Sequence, residues 1–167
     1  YISRQLGAKN HDEATRAAST TLFTAMGIVA VIATTFYIFR SPLVILLGAT
    51  ETSKAFSVEY ASWILFSAPI TAATVCLSQT LRAEGSTTYS MIGSVSGCVI
   101  NIFLDPLFIN VFGLGVAGAA IATGISKFIS MIILLMPYYQ RKCIIDIKPK
   151  YFTPKKALYG EIARMGI

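Results

Sequence analysis

The sequence predicts an all-α, polytopic membrane protein. Three observations carry that reading: a scarcity of charge, four long charge-free runs, and an uneven distribution of basic residues. The chain has 167 residues, of which 54% are hydrophobic and 13% charged, where soluble domains carry about 25% charged residues. Residues 17–39, 60–81, 85–104 and 106–126 contain no Asp, Glu, Lys or Arg. Each run reaches the roughly 20 apolar residues that cross a bilayer core as a helix. Spans are therefore expected at about 18–39, 60–81, 87–112 and 115–137. A cytoplasmic loop over 1–17 precedes them, and a basic linker over 138–167 follows.

Basic residues orient the spans. With the N-terminal segment inside, inner loops hold Arg4, Lys9, Arg16, Arg82 and seven residues beyond position 140, while outer loops hold Arg40 and Lys54. Eleven against two is the bias expected when both ends are cytoplasmic. The net charge of +6 belongs to this flanking pattern, so nucleic acid is not an expected partner and the lipid bilayer is. The start at Tyr1 without Met, the absence of a signal-peptide pattern and the apolar turn of the end "EIARMGI" lead to the expectation of a piece of a longer protein.

Between the first two spans, "SPLVILLGATETSKAFSVE" reads as a helix end broken at Pro42, a loop, and a new helix starting near Thr52 or Ser53. The third and fourth spans are joined by a tight turn at "FGLG". In the linker, Thr153 caps a helix whose first position is Pro154. Its apolar residues Leu158, Ile162 and Met165 suit an amphipathic helix on the inner surface. The runs "GSVSG" and "GVAGAAIATG" permit close helix approach. Pro69 and Pro106 each remove a backbone N–H and free a carbonyl one turn earlier, so both are candidate bends. Cys76, Cys98 and Cys143 have neither metal-ligand nor disulfide spacing.

Asp105 is the strongest chemical signal. An ionised carboxylate in hydrocarbon costs about 2.5–3.5 kcal/mol on insertion scales, so such residues face a bundle interior or a wet cavity. Asn101 lies one turn earlier on the same face, which continues back through Cys98, Gly97 and Ser94. The opposite side carries Ile100, Phe103, Leu104 and Leu107. Counting from the turn, Asp105 and Thr123 both lie about 10–12 Å below the outer surface, level with each other on neighbouring antiparallel helices. Carboxylate, amide oxygen and hydroxyl form a hard-oxygen set suited to a small alkali cation such as Na⁺. The same carboxylate, desolvated, holds a proton instead. A purely structural Asp105, hydrogen-bonding helices together, is the competing reading. Lys127 lies one turn below Thr123, a long reach for snorkelling; it is expected to line a cavity or form an ion pair, with snorkelling or a locally short helix as the competing reading. His11 sits in a polar loop, no catalytic base lies within the spans, and no phosphate-cradling loop occurs. An enzyme is not expected.

The stretches "SRQLGAKNHDEA", "LRAEGSTTYSMIG" and "NIFLDPLFINVFGLGVAGAAIAT" resemble the multidrug and toxic compound extrusion (MATE) transporters, within them the bacterial cation-coupled branch. That resemblance implies a twelve-helix transporter of two six-helix lobes, of which this sequence would supply helices three to six of the N-lobe. It implies export of organic, often cationic, small molecules in exchange for Na⁺ or H⁺, without a cofactor, across a bacterial-type cytoplasmic membrane. Other helices of the same transporter would be its partners. It also implies that Asn101, Asp105 and Thr123 match the N-lobe cation site, which has a further aspartate on helix one. Lys127 stands where a neutral residue is expected. Two other functions are weighed: a lipid-linked oligosaccharide flippase, which would need a strongly cationic cavity, and a non-transporting membrane scaffold.

Overall fold

The computed structural model describes residues 1–140, 142–147 and 151. Six α-helices make up the described chain: α1 (Ile2–Gly7), α2 (His11–Ile38), α3 (Arg40–Leu46), α4 (Glu51–Ala83), α5 (Thr87–Pro106) and α6 (Gly115–Tyr139). A π turn, Leu107–Val111, extends α5. Helix α4 is central, packing against both α2 and α6, and α5 lies along α6. The helices α2, α4, α5 with its π turn, and α6 are each long and apolar enough to cross a membrane.

The helices overrun the expected spans at their polar ends. Helix α2 begins at His11, inside the segment expected to be loop, and α4 begins at Glu51. Hydropathy marks the hydrocarbon slab, and a helix continues past it while its caps allow. At the start of α4, Ser53 Oγ accepts the Thr50 N–H at 3.1 Å, satisfying one of the donors that a helix start leaves orphaned. The helix end expected at Pro42 falls one turn earlier: α2 stops at Ile38, the residue whose carbonyl a proline four positions on cannot bond, and the short α3 resumes at Arg40. Pro42 is the third residue of α3, where its missing N–H has no intrahelical partner to lose. Pro69 lies within α4. Pro106 ends α5 and hands over to the π turn, closed by Phe112 N–H to Leu107 O at 3.0 Å. The "FGLG" turn then uses positive φ at Gly113 (66°) and Gly115 (53°), which glycine adopts without steric cost. The proposed helix after Thr153 lies outside the described residues.

Packing is inverted relative to a soluble core. Fully buried positions are mostly small: Ala14, Ala17, Ser19, Thr20, Ala122 and Ser130 are at most 2% exposed. Large side chains such as Leu47, Phe66, Phe103 and Val111 point outward. With no water in the lipid to drive burial, close backbone approach and hydroxyl hydrogen bonds hold helices together. Ser130 Oγ donates to Gly93 O at 2.7 Å, and the Ser78 and Ser90 hydroxyls pair at 2.7 Å. A Cβ on Gly97 would stand 2.9 Å from Ser130 Cβ, so the two "GSVSG" glycines mark the α5–α6 contact.

Candidate functional site

The α5–α6 seam sets the level of every candidate residue. Gly93 faces Leu134, and one turn on, Gly97 faces Ser130. Continued at that register, the next two turns of the antiparallel pair would set Asn101 near the level of Ser126 and Asp105 near that of Ala122. The seam closes where Gly118 lies against the Phe108 carbonyl. Between these anchors lie Asp105 on α5 and Thr123 on α6, each hydrogen-bonded within its own helix.

Asn101 and Asp105 are both half-buried, and they are joined. Asn101 Nδ2 donates to Asp105 Oδ1 at 2.9 Å, as residues four apart on one helix face can. The donated amide fixes the orientation of both groups: the Asn101 carbonyl oxygen stays available as a ligand, and so does Asp105 Oδ2. Among the described residues, no Lys or Arg forms a salt bridge with Asp105. The face behind the pair is centred on Gly97 and Ser90, which are buried, while Cys98 is exposed. The expected face is therefore rotated: Cys98 turns outward with Val99, Ile102 and Phe103.

Thr123 is not hydrogen-bonded to Asp105. Its Oγ1 donates to Ala119 O at 2.9 Å, one turn back on α6. A hydroxyl inside a helix has that carbonyl always within reach, so it would have to rotate to ligate an ion beside Asp105. Lys127 is half-buried, and its carbonyl accepts from Thr74 Oγ1 of α4 at 3.3 Å. Its backbone therefore lies on the α4–α6 seam, level with Ile100 and Asn101. Pro106 stands between Asp105 and the π turn. Such turns occur often at functional sites, because an extra residue locally re-aims the side chains.

Beyond these residues, the end of the bundle that carries the α4–α5 turn holds a polar group that sequence reasoning missed. Glu84 Oε2 accepts the Ile145 N–H at 3.2 Å. Burial, followed by a hydrogen bond to Glu84 and its charge, pushes the Cys143 thiol up to about 12. The only sequence signal was the acidic residue in "LRAEG", whose partners lie some 60 residues downstream.

Comparison with known proteins follows the same lines. The MatE family model matches residues 1–107. The multidrug export protein MepA of Staphylococcus aureus (strain NCTC 8325 / PS 47) is 31% identical over 100% of this chain and 37% of its own length. An inward-facing multidrug resistance MATE family transporter of the MOP superfamily superposes with a TM-score of 0.92. It is 30% identical, over 99% of this chain and 38% of that one. An outward-facing structure of such a transporter gives 0.89 at 29% identity, over 98% of this chain and 36% of that one. The chain spans little more than a third of the length of these relatives.

Proposed function

Since the chain belongs to the MatE family of multidrug efflux transporters, we propose that the full-length parent is a secondary active antiporter that exports organic, often cationic, compounds in exchange for Na⁺ or H⁺. It sits as a multi-pass protein in a bacterial-type cytoplasmic membrane, with both ends of this segment on the inside. The observation that carries this reading is the Asn101–Asp105 pair, joined at 2.9 Å on the face of α5 that runs along α6. A carboxylate with one oxygen held by an amide and the other open is equipped to take up either a proton or a small hard cation.

In this cycle the ion binds at Asp105, with the Asn101 carbonyl oxygen and a rotated Thr123 hydroxyl as further ligands. Neutralising the carboxylate removes the penalty for keeping it in a low-dielectric seam, so ion binding shifts the balance between packings of α5 on its neighbours. Pro106 and the π turn give α5 a place to change geometry at little cost in hydrogen bonds. The likeness of this four-span unit to both inward- and outward-facing relatives, with TM-scores of 0.92 and 0.89, fits alternating access in which such units move largely as bodies. Lys127 adds a cation one turn along α6 from Thr123, and an ammonium close to the site weakens the uptake of either ion by Asp105. H⁺, which needs no ligand shell beyond the carboxylate, is the coupling ion that better tolerates it.

The flippase alternative is not favoured. A pyrophosphate cavity needs several cations, and within the four charge-poor spans Lys127 stands without another Lys or Arg beside it. The antiport reading is tested by loading drug-sensitive cells expressing the parent with a fluorescent organic cation and collapsing the Na⁺ and H⁺ gradients in turn with ionophores. Efflux should stop when the coupling gradient collapses at constant ATP. Efflux that survives loss of both gradients would refute antiport. A strong Na⁺ requirement at fixed pH would refute the H⁺ preference assigned to Lys127.

A further inference from the structure

The chain does not simply leave the bundle after α6. It turns back, with Lys142 N–H bonded to Pro137 O at 3.0 Å, and Ile145 enters the core at 1% exposure. There it joins one cluster with Ala14 and Ala18 of α2, Leu77 and Leu81 of α4, and Leu134 and Tyr138 of α6. Two backbone donors fasten the segment from either side. Ile145 N–H reaches Glu84 Oε2 at 3.2 Å, and Asp146 N–H reaches Thr15 Oγ1 at 3.5 Å. Glu84 follows α4 directly as its C-cap, so the carboxylate is carried by the end of the central helix.

The seat is incomplete, and that is its informative feature. Among the described residues, Glu84 Oε1 and the Tyr138 hydroxyl are both shielded from solvent and have no hydrogen-bond partner closer than the weak donor of the neighbouring Cys143 thiol. Desolvated polar atoms without partners penalise the state that buries them. Both atoms regain water if the segment lifts. The seated state is thus held by an apolar plug and a carboxylate, and opposed by two uncompensated polar atoms in the same place.

We propose that residues 142–147 form a releasable strap, latched by Glu84 and plugged by Ile145, that couples the exit of the chain to the packing of the ends of α2, α4 and α6 beside the α4–α5 turn. Glu84 acts as a positioning residue. Because the strap touches all three helices at once, a shift of α4 against α6 alters its seat, and seating it favours the packing seen here. The strap stands independently of the ion site at Asp105 and of the transport reading.

Amide hydrogen exchange of the full-length parent in nanodiscs, followed in the peptide covering residues 142–147, tests this. Glu84→Ala should speed strap exchange at least tenfold. Glu84→Gln, whose side-chain carbonyl still accepts the Ile145 N–H, should stay within threefold of the wild type. Tyr138→Phe removes an uncompensated hydroxyl and should slow strap exchange about fivefold. Less than a threefold change in Glu84→Ala overturns the latch. Faster exchange in Tyr138→Phe overturns release, since it shows a seat already satisfied. If Glu84→Ala also loosens peptides of α4 and α6, Ile145→Ser reads the seat with Glu84 intact. It should free the strap while those helices stay protected, and a strap still protected in Ile145→Ser overturns the plug.

Discussion

Replacing Gly118 by alanine tests whether the seam that holds the Asp105 segment is as tight as the geometry requires. A Cβ at this position would lie 2.8 Å from the Phe108 carbonyl oxygen, 2.9 Å from its carbon and 3.2 Å from Ile109 N. Favourable contacts between heavy atoms begin near about 3.5 Å, so α6 and the π turn must separate by roughly 0.6 Å. Backbone atoms cannot rotate aside as a side-chain tip can. Overpacking of this kind costs about 1–3 kcal/mol, against a gain of about 0.5–1 kcal/mol for alanine over glycine inside a helix. The expected net loss is therefore about 0–2.5 kcal/mol against the wild type, and about 1–3 kcal/mol against a glycine-to-alanine change that meets no neighbour. Equilibrium unfolding of the full-length parent in mixed micelles measures it, with Gly7→Ala as the control, because a Cβ on Gly7 meets nothing within 4 Å. If Gly118→Ala is as stable as the control, the α6–π turn contact is looser than described and the register argument for Asp105 and Thr123 loses its anchor.

Three further outcomes follow from the same geometry. Ser130→Ala removes a buried 2.7 Å hydrogen bond to Gly93 O; a loss of about 0.6–1.5 kcal/mol is expected in the same unfolding assay, and no loss would show that glycine packing alone holds the seam. Cys143, as the only cysteine left in the parent, should react with a soluble maleimide about a thousandfold more slowly at pH 8 than a thiol with the ordinary value of 9.0, because its own value lies near 12 and the thiolate is the nucleophile. Its rate should keep rising about tenfold per pH unit up to pH 11, where an ordinary thiol has already levelled off above pH 9; an early plateau would contradict the burial beside Glu84. Lys127→Met removes a cation near the proposed ion site and should tighten apparent Na⁺ affinity by about tenfold, measured as the Na⁺ dependence of efflux at fixed pH; an unchanged affinity would place the ammonium away from the site.

The spans were legible because a bilayer imposes a long apolar run, and the runs here are uninterrupted by charge. The start of α4 at Glu51 falls within two residues of the start expected near Thr52 or Ser53, whereas the start of α2 at His11 was not legible, since His11–Arg16 is polar helix where hydropathy carries no signal. The break read at Pro42 falls after Ile38, because a proline acts on the carbonyl four residues before it; the short α3 that follows had no signal of its own. The Asn101–Asp105 pair was readable from a spacing of four. The Thr123 hydroxyl turned to the Ala119 carbonyl, a local competitor that spacing between helices cannot reveal. Cys98 was assigned one position off the true face, within the error of a period near 3.6 over three turns. The Glu84 seat was illegible for a different reason: its partners Cys143 and Ile145 meet it only after two spans have folded back, so no local pattern marks it.

The measurement that bears most directly on the central claim uses the full-length parent in drug-sensitive cells, with Asp105→Asn beside the wild type at matched membrane abundance. Asparagine keeps the size and can still pair with Asn101, but it can neither carry a proton at neutral pH nor neutralise a cation. Efflux of a fluorescent organic cation should be lost in Asp105→Asn while abundance and thermal stability hold. Retained efflux would contradict the account, leaving Asp105 as a hydrogen-bonding residue between helices and moving ion coupling to other parts of the transporter.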